Sequence, residues 1–222
     1  MEQSRPCVNG QDVAETARTS TAVLKVKVII GSTRRKRYAD KPANWIAGEI
    51  GKLPSVEVEI LDLRDFPMPF YDEDVSALRL NGNYSNEVVK RWSDRISDGD
   101  AFLITASEYN RGYTAVLKNA LDSIFSEWND KAVGFIGHGS VGGARAIEQL
   151  RQVVVELKMV PIRLSLHIPS EIFLATINEA APLDPQTFRS MREGMFGDRV
   201  GKFIDEFITT AGMVKYQRIG RG

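Results

Sequence analysis

Three short stretches hold the residues whose types and spacing could do chemistry. They read GSTRRKR from position 31, SEYNRGY from position 107 and GHGSVGG from position 137, and each comes at the end of an apolar run. Hydroxyls, arginines, an amide and clustered glycines are suited to holding a phosphorylated, flat ligand. The stretches therefore indicate a binding site, provided that the fold brings them together.

The first stretch has the composition of an anion site. Ser32 and Thr33 offer hydroxyl and amide donors, and Arg34 and Arg37 can each donate paired hydrogen bonds to phosphate oxygens. A helix that starts a few residues later would point the positive end of its dipole at the same place. The stretch has neither the ending of a Walker A loop nor the three glycines of a dinucleotide fingerprint. It predicts a phosphate site, and a solvated basic turn is an equal alternative when the stretch is taken alone.

Glu108, Tyr109 and Asn110 form the second candidate group, between an apolar run and a helical pattern. The Tyr109 ring can stack on or wall off a flat heterocycle, and Asn110 offers a donor and an acceptor. Glu108 has two interpretations: it accepts from a ring N–H of a ligand, or its carboxylate complements a helix dipole. The group predicts a site for the edge of a planar ligand, with ordinary helix capping as the alternative.

In the third stretch, four glycines surround His138 and Ser140. Glycine lets a ligand approach the backbone and exposes N–H groups. No Asp or Glu of the stretch is placed to orient His138, which favours a loop histidine over a general acid or base. The two histidines and the single cysteine have no paired spacing, so we predict no metal site. Because the sequence predicts neither a metal site nor an acid or base, the three stretches suit a cofactor that carries its own chemistry.

The elements that must position these stretches alternate along the chain. Five apolar, β-branched runs end at Ile30, Leu63, Ala106, Gly137 and Leu166. Helical patterns between them predict a parallel sheet covered by helices on both faces. AFLITA, the third run, should be a central strand buried on both faces, and VEVEIL, which alternates with glutamates, should be an edge strand. Because parallel strands end at one edge of a sheet, the three stretches should meet there.

Four helical stripes are predicted from apolar spacing. They comprise Val89, Trp92 and Ile96; Leu117, Leu121, Ile124 and Trp128; Ala144, Ile147, Leu150, Val154 and Leu157; and Val200, Phe203, Ile204 and Phe207. Two long connections, at 64–85 and 171–186, interrupt the pattern. The first holds Phe66, Met68, Phe70 and Tyr71, and it packs either on a second subunit or on its own core.

Composition narrows the function classes. The chain has 222 residues, 43% of them hydrophobic, and its 29 basic and 29 acidic side chains balance. We expect one domain over 23–212, no nucleic-acid partner, no membrane insertion and a cytoplasmic location. Residues 1–22, which contain the single Cys7, should form a disordered or loosely docked arm, and 213–222 a basic tail.

From Lys25 to Ser170, the chain resembles the NAD(P)H-dependent FMN reductases of flavodoxin-like fold, which include quinone, chromate and azo-dye reductases. The resemblance lies in GSTRRKR, EYNRGYTAVLKNALD and GSVGGARAIEQLR, in that order. It implies a doubly wound α/β fold with a five-stranded parallel sheet in the order 2-1-3-4-5. Ser107 stands where many members have proline.

The resemblance also implies which residues bind FMN. Ser32, Thr33, Arg34 and Arg37 would hold the phosphate, and the remaining positions, which are Tyr38, Ser107, Glu108, Tyr109, Asn110, Gly139 and Ser140, would line the isoalloxazine or close the site. NADPH or NADH would be the co-substrate, and Arg35, Lys36 and Arg111 are equal candidates for the extra phosphate of NADPH.

By the same resemblance, the protein would transfer hydride through FMN to a quinone, flavin, metal oxyanion or azo acceptor, with no catalytic side chain. Family members are usually homodimers or dimer-based tetramers, and FPMPFYDED looks like their interface loop. A flavodoxin-like electron carrier without NAD(P)H turnover is one alternative, although such carriers are usually strongly acidic. A flavin-binding regulatory or scaffold protein without turnover is another.

Overall fold

Strand β3 (Ala101–Ser107) is the centre of the sheet, and all seven of its residues are buried. The structure, a computed structural model, describes residues 23–177 and 198–220. β3 pairs in parallel with β1 (Leu24–Ile30) and with β4 (Ala132–His138). β2 (Val56–Asp62) pairs with β1 and forms one edge. The predicted central and edge strands are both confirmed.

The predicted fifth strand is split into β5 (Val160–Pro161) and β6 (Leu166–His167), which both pair with β4. The pairing with β4 breaks after Ile162, whose N–H still donates to Val133 O, because the N–H groups of Arg163 and Leu164 donate to the Glu206 carboxylate instead. The order across the sheet is 2-1-3-4-5, with β6 continuing the fifth position, and this confirms the flavodoxin-like arrangement.

Helices connect the strands and cover both faces of the sheet. They are α1 (Asp40–Ile50), α2 (Ala77–Leu80), α3 (Glu87–Asp98), α4 (Ala115–Asp122), α5 (Ala144–Glu156), α6 (Ser170–Thr176) and α7 (Arg199–Ile219), with 3-10 turns at Leu63–Asp65 and Ser126–Trp128. One core lies beneath α1, α6 and α7, and the other beneath α3, α4 and α5. Within the described residues, no helix is long and apolar enough to cross a membrane.

Two predicted segments differ from the structure. The second apolar stripe was predicted to lie on one helix through Trp128, but α4 ends at Asp122. Trp128 is buried from a 3-10 turn instead. Most of the expected basic tail is the last part of α7, where Lys215 and Arg218 pair with the buried Asp100 at 2.7 and 2.6 Å. This ion-paired cluster fixes the helix end beside the start of β3.

Some predictions fall outside the described residues. These are the N-terminal arm at 1–22 with Cys7, part of the second long connection, and the last two residues. The first long connection is described, and it both covers the core and presents apolar surface. Phe66 is buried against Trp92, whereas the Phe70 side chain is 81% exposed.

Candidate functional site

The three chemical stretches lie at one edge of the sheet. β1, β3 and β4 are adjacent and parallel, and the register sets Ile30 beside Thr105 and Ser107 beside His138. The turns that follow these strands, which we call the first, second and third turns, span Gly31–Arg37, Glu108–Gly112 and Gly139–Gly143. Their predicted meeting at the carboxyl ends of the strands is therefore observed.

The first turn starts from a close approach of β1 to β3. The Gly31 N–H donates to Thr105 O at 3.2 Å, and Thr114 Oγ1 donates to Gly31 O at 2.6 Å. A Cβ atom on Gly31 would lie 2.4 Å from Thr105 O, so the position requires glycine. The contact fixes where the turn leaves the sheet.

Ser32 and Arg34 connect the first turn to the second. The buried Ser32 Oγ lies 2.9 Å from Tyr109 OH, and the Arg34 guanidinium lies over the Tyr109 ring, 5.9 Å from its centroid. Thr33 and Arg34 are exposed at the rim of the turn. The side chains predicted for phosphate and for the flat ring are thus in direct contact.

Arg37 has a different position from the one expected of a phosphate ligand. Its side chain is 5% exposed and forms two hydrogen bonds with Asp62, the first at 2.6 Å, while Nη1 also donates to Ser32 O at 2.9 Å. Burial opposes ionisation of Asp62, but hydrogen bonds from Arg37 and the Arg64 amide lower its pKa below the usual value. Arg37 therefore braces the first turn from inside the protein.

Arg64 and Asp62 were missed by the sequence reasoning. The Arg64 guanidinium donates to the carbonyls of Thr33, Arg34 and Arg35. Both residues come at the end of β2, directly beside the end of β1 in the sheet. The signal that could have found them is the charged sequence DLRD at a fourth strand end, next to the proposed phosphate stretch.

The second turn is a tight reversal. Tyr109 and Gly112 exchange backbone hydrogen bonds of 2.8 and 3.1 Å, and the central residues Asn110 and Arg111 both have positive φ, of 51° and 71°. Two left-handed central residues define a type I′ turn, in which asparagine is favoured at the first. The turn leaves Asn110 exposed at its tip.

Glu108 points toward the third turn. Its carboxylate accepts from the Arg145 backbone N–H at 3.1 Å and from Arg145 Nε at 2.8 Å, and its side chain is only 5% exposed. Of the two interpretations, this geometry favours the helix-start carboxylate, but at α5 and not at the helix that follows it in sequence. Gly139, with φ of 137°, packs against Glu108, where an added Cβ would lie 3.3 Å from the Glu108 Cβ. Ser140 is exposed beside it.

Ser107, His138 and Tyr38 form a buried layer beneath the turns. Ser107 Oγ lies 2.8 Å from His138 Nε2, and the Tyr38 ring lies 5.2 Å from the His138 ring. Tyr38 OH bonds to Thr176 Oγ1 at 2.9 Å, so it faces α6. Burial lowers the pKa of His138 to about 3 and keeps the imidazole neutral. These residues support the site from behind.

A cleft of about 290 Å³ opens beside the first turn. Its lining includes Thr33, Arg64, Met68, Val116 and Asn119. In the part of the chain that the structure describes, no group of three or more His, Cys, Asp or Glu side chains is placed to hold a metal ion. The chemical groups at the sheet edge are donors for an anion and surfaces for a flat ring.

The fold is that of a flavodoxin-like α/β protein, and the three turns lie together at the carboxyl ends of its strands, the edge at which such sheets bind ligands. Residues 24–171 match the family described as NADPH-dependent FMN reductase. The chain belongs to this family. It is therefore an oxidoreductase whose family uses FMN and NAD(P)H.

Named relatives agree with this assignment. The chain is 38% identical over 136 residues to an NAD(P)H-dependent FMN reductase of Schizosaccharomyces pombe, covering 61% of this chain and 68% of that protein. It is 36% identical to an NAD(P)H:quinone oxidoreductase of Solanum tuberosum, over 62% of this chain and 70% of that one. The flavoenzyme FerB of Paracoccus denitrificans, 22% identical, shares the fold with a TM-score of 0.57 over 88% of this chain and 98% of its own.

Proposed function

We propose that this protein binds FMN at the first, second and third turns and transfers hydride from NAD(P)H through it to an oxidised acceptor. The observation that carries the proposal is the Ser32–Tyr109 hydrogen bond of 2.9 Å, because it joins the predicted phosphate turn to the predicted ring turn. The residues present fit a mononucleotide: the first turn offers hydroxyl donors and Arg34, the second turn offers Tyr109 and Asn110, and the third has glycines that would let a ligand approach the backbone.

The predicted FMN contacts divide into two groups. Thr33, Arg34, Asn110 and Ser140 have exposed side chains at the site, with Ser32 and Tyr109 between them. Arg37, Tyr38, Ser107 and the Glu108 carboxylate hold other protein groups, so we propose that they position the turns. Gly139 lets the third turn approach the second.

FMN, when bound, supplies the hydride chemistry. The chain's part is to orient the ring and to hold negative charge on the N–H groups of the second and third turns. The buried His138 is neutral and bonded to Ser107, so it is not arranged to move a proton. The proposed mechanism therefore does not use His138 as an acid or base.

A quinone is the acceptor that we propose first. Relatives in Solanum tuberosum and Pseudomonas putida, 36% and 34% identical over 62% of the chain, are named quinone oxidoreductase or quinone reductase. A Staphylococcus saprophyticus relative, 26% identical over 88% of the chain, is named an azoreductase. Azo compounds are therefore a further acceptor to compare, together with the flavins and metal oxyanions that the resemblance implies.

We also propose a homodimer, alone or within a tetramer. Phe70 is 81% exposed and Leu78 57% exposed on the first long connection, and a second copy of the chain is the occupant that would cover them. A cytoplasmic location stays a prediction of the sequence.

The proposed function is tested by steady-state oxidation of NADPH and NADH in the presence of FMN, with a benzoquinone as acceptor. We expect rapid, FMN-dependent oxidation with double-displacement kinetics, because nicotinamide and acceptor would use the same open face. FMN binding without NAD(P)H oxidation would instead favour an electron carrier. Failure to bind FMN would contradict both functions.

A further inference from the structure

Arg64 makes an unusual set of contacts with the first turn. Its Nη2 donates to the carbonyl oxygens of Arg34, at 2.5 Å, and Arg35, at 3.1 Å, and its Nε reaches Thr33 O at 3.4 Å. All three acceptors are consecutive backbone carbonyls. One exposed side chain therefore binds the carbonyl oxygens of three successive peptide groups.

Arg37 binds the preceding carbonyl, because its Nη1 donates to Ser32 O at 2.9 Å. Asp62 joins the two arginines, because its Oδ1 accepts from Arg37 Nη1 at 2.6 Å and from the Arg64 backbone N–H at 2.9 Å. Four consecutive carbonyls of the turn are thus bound by two guanidinium groups, and the Asp62 carboxylate bonds to both residues, through the Arg37 guanidinium and the Arg64 backbone N–H. We call Arg37, Asp62 and Arg64 the carbonyl clamp.

The clamp has a consequence for the other side of the turn. In a trans peptide the N–H points opposite to the C=O of the same peptide group. Carbonyls held by the clamp therefore aim the N–H groups of residues 33–36 away from it. The Arg34 N–H bonds to Ser32 Oγ at 3.3 Å, and those of Thr33, Arg35 and Lys36 have no hydrogen-bond acceptor among the described residues. Free backbone N–H groups of a turn can bind an anion.

We propose that Arg64 is a positioning residue of the phosphate subsite, which sets phosphate affinity by holding the backbone of the first turn without contacting the phosphate. The inference deepens the proposed function and rests on it, because it takes the FMN phosphate as the anion. Arg64 is suited to this role since a planar guanidinium can reach several carbonyls at once, whereas a lysine ammonium acts as a single point of charge.

The test compares FMN with riboflavin, which has the same ring and lacks the phosphate. Dissociation constants are measured by quenching of flavin fluorescence for the wild type, Arg64→Ala and Arg64→Lys. We expect Arg64→Ala to weaken FMN binding about tenfold or more and to leave riboflavin binding within about twofold. Arg64→Lys should stay close to Arg64→Ala, although it keeps the charge.

Arg91→Ala is the matched control. Arg91 contacts the same segment, at Asp65 O and over the Phe66 ring, and makes no contact with the first turn among the described residues. Its replacement should leave both affinities unchanged. Thermal unfolding of each apo variant checks the fold. If Arg64→Ala does not fold, the FMN and riboflavin affinities of Arg64→Lys are compared with those of the wild type instead.

Three results would overturn the role of Arg64. The first is unchanged FMN affinity in Arg64→Ala, and the second is an equal loss of FMN and riboflavin affinity in a folded variant. The third is wild-type FMN affinity in Arg64→Lys, which would show that only the positive charge at this position matters. A wild type that binds FMN no better than riboflavin would instead contradict the phosphate site itself. The two failures are therefore distinguishable.

Discussion

Ser32 Oγ lies 2.9 Å from Tyr109 OH, across residues that are 77 positions apart in the chain. The bond joins the turn after β1 to the turn after β3, and the Arg34 guanidinium lies over the same tyrosine ring. The two turns thus form one surface, in which the anion donors of the first turn lie against the aromatic ring of the second. This relationship is the basis for placing FMN at the sheet edge.

Replacement of Tyr109 by phenylalanine keeps the ring and removes the hydroxyl. A single neutral hydrogen bond contributes about 1 kcal/mol, so FMN affinity should fall about fivefold. Isothermal titration of the apo variant with FMN measures this. Tyr113→Phe removes a nearby hydroxyl outside the turn and should leave the affinity unchanged. Equal affinities for Tyr109→Phe and the wild type would show that the bond does not organise the site.

Arg34→Ala tests the phosphate contact directly. Arg34 is exposed at the rim of the first turn, so the fold should survive its loss. We expect FMN affinity to fall about tenfold, because the variant loses a charge-assisted contact with the phosphate. The comparison is with Arg35→Ala, which removes an equal charge from the next position. Retained FMN affinity in Arg34→Ala would remove Arg34 from the phosphate site.

His138 makes stability depend on pH. The Ser107 hydroxyl and the rings of Tyr38 and Phe173 surround it, and burial lowers its pKa from 6.5 to about 3. Between these values the unfolded chain binds a proton and the folded protein does not, so the free energy of unfolding falls as the pH falls, by up to about 1.4 kcal/mol per pH unit. His138→Gln lacks this contribution.

Urea unfolding of the apoprotein at several pH values between about 7 and 5 measures the effect. The wild type should lose stability more steeply than His138→Gln over this range, while the other titrating groups are common to both proteins. Parallel losses would mean that His138 accepts a proton in the folded state.

Phe70→Glu tests the proposed homodimer. A charge at this 81% exposed position would be desolvated in an interface of two copies, but it would cost the separate chain little. We expect light scattering after size exclusion to show a shift from dimer toward monomer, with Val155→Glu, on the exposed face of α5, as the matched control. A wild type that is already monomeric would contradict the assembly.

Sequence reasoning predicted the strand ends well because apolar runs are local signals. It located Ser32, Tyr109 and Gly139 at one edge because parallel strands must end together. The break between β5 and β6 was not predictable, since the Glu206 carboxylate that binds Arg163 and Leu164 comes from a distant helix. The helical end of the chain was missed for a similar reason, because its lysine and arginine pair with a buried aspartate far away in sequence.

The roles of individual charges were the least predictable feature of the site. The local sequence predicted Arg37 as a phosphate ligand because its partner, Asp62, is 25 positions away in the chain. The pairing of β1 with β2 is what brings the two residues together. Glu108 likewise meets Arg145 across the pairing of β3 with β4. Residue type and spacing indicated the class of ligand, while the sheet register decided which cations stay available to it.

An anaerobic single-turnover experiment tests the central claim most directly. The FMN-loaded protein is mixed with NADPH while the visible absorbance of oxidised flavin is followed, and a benzoquinone is then added. We predict that NADPH bleaches the flavin and that the quinone restores its colour, with the reduced quinone appearing in equal amount. A protein whose bound flavin stays oxidised in the presence of both NADPH and NADH would contradict it.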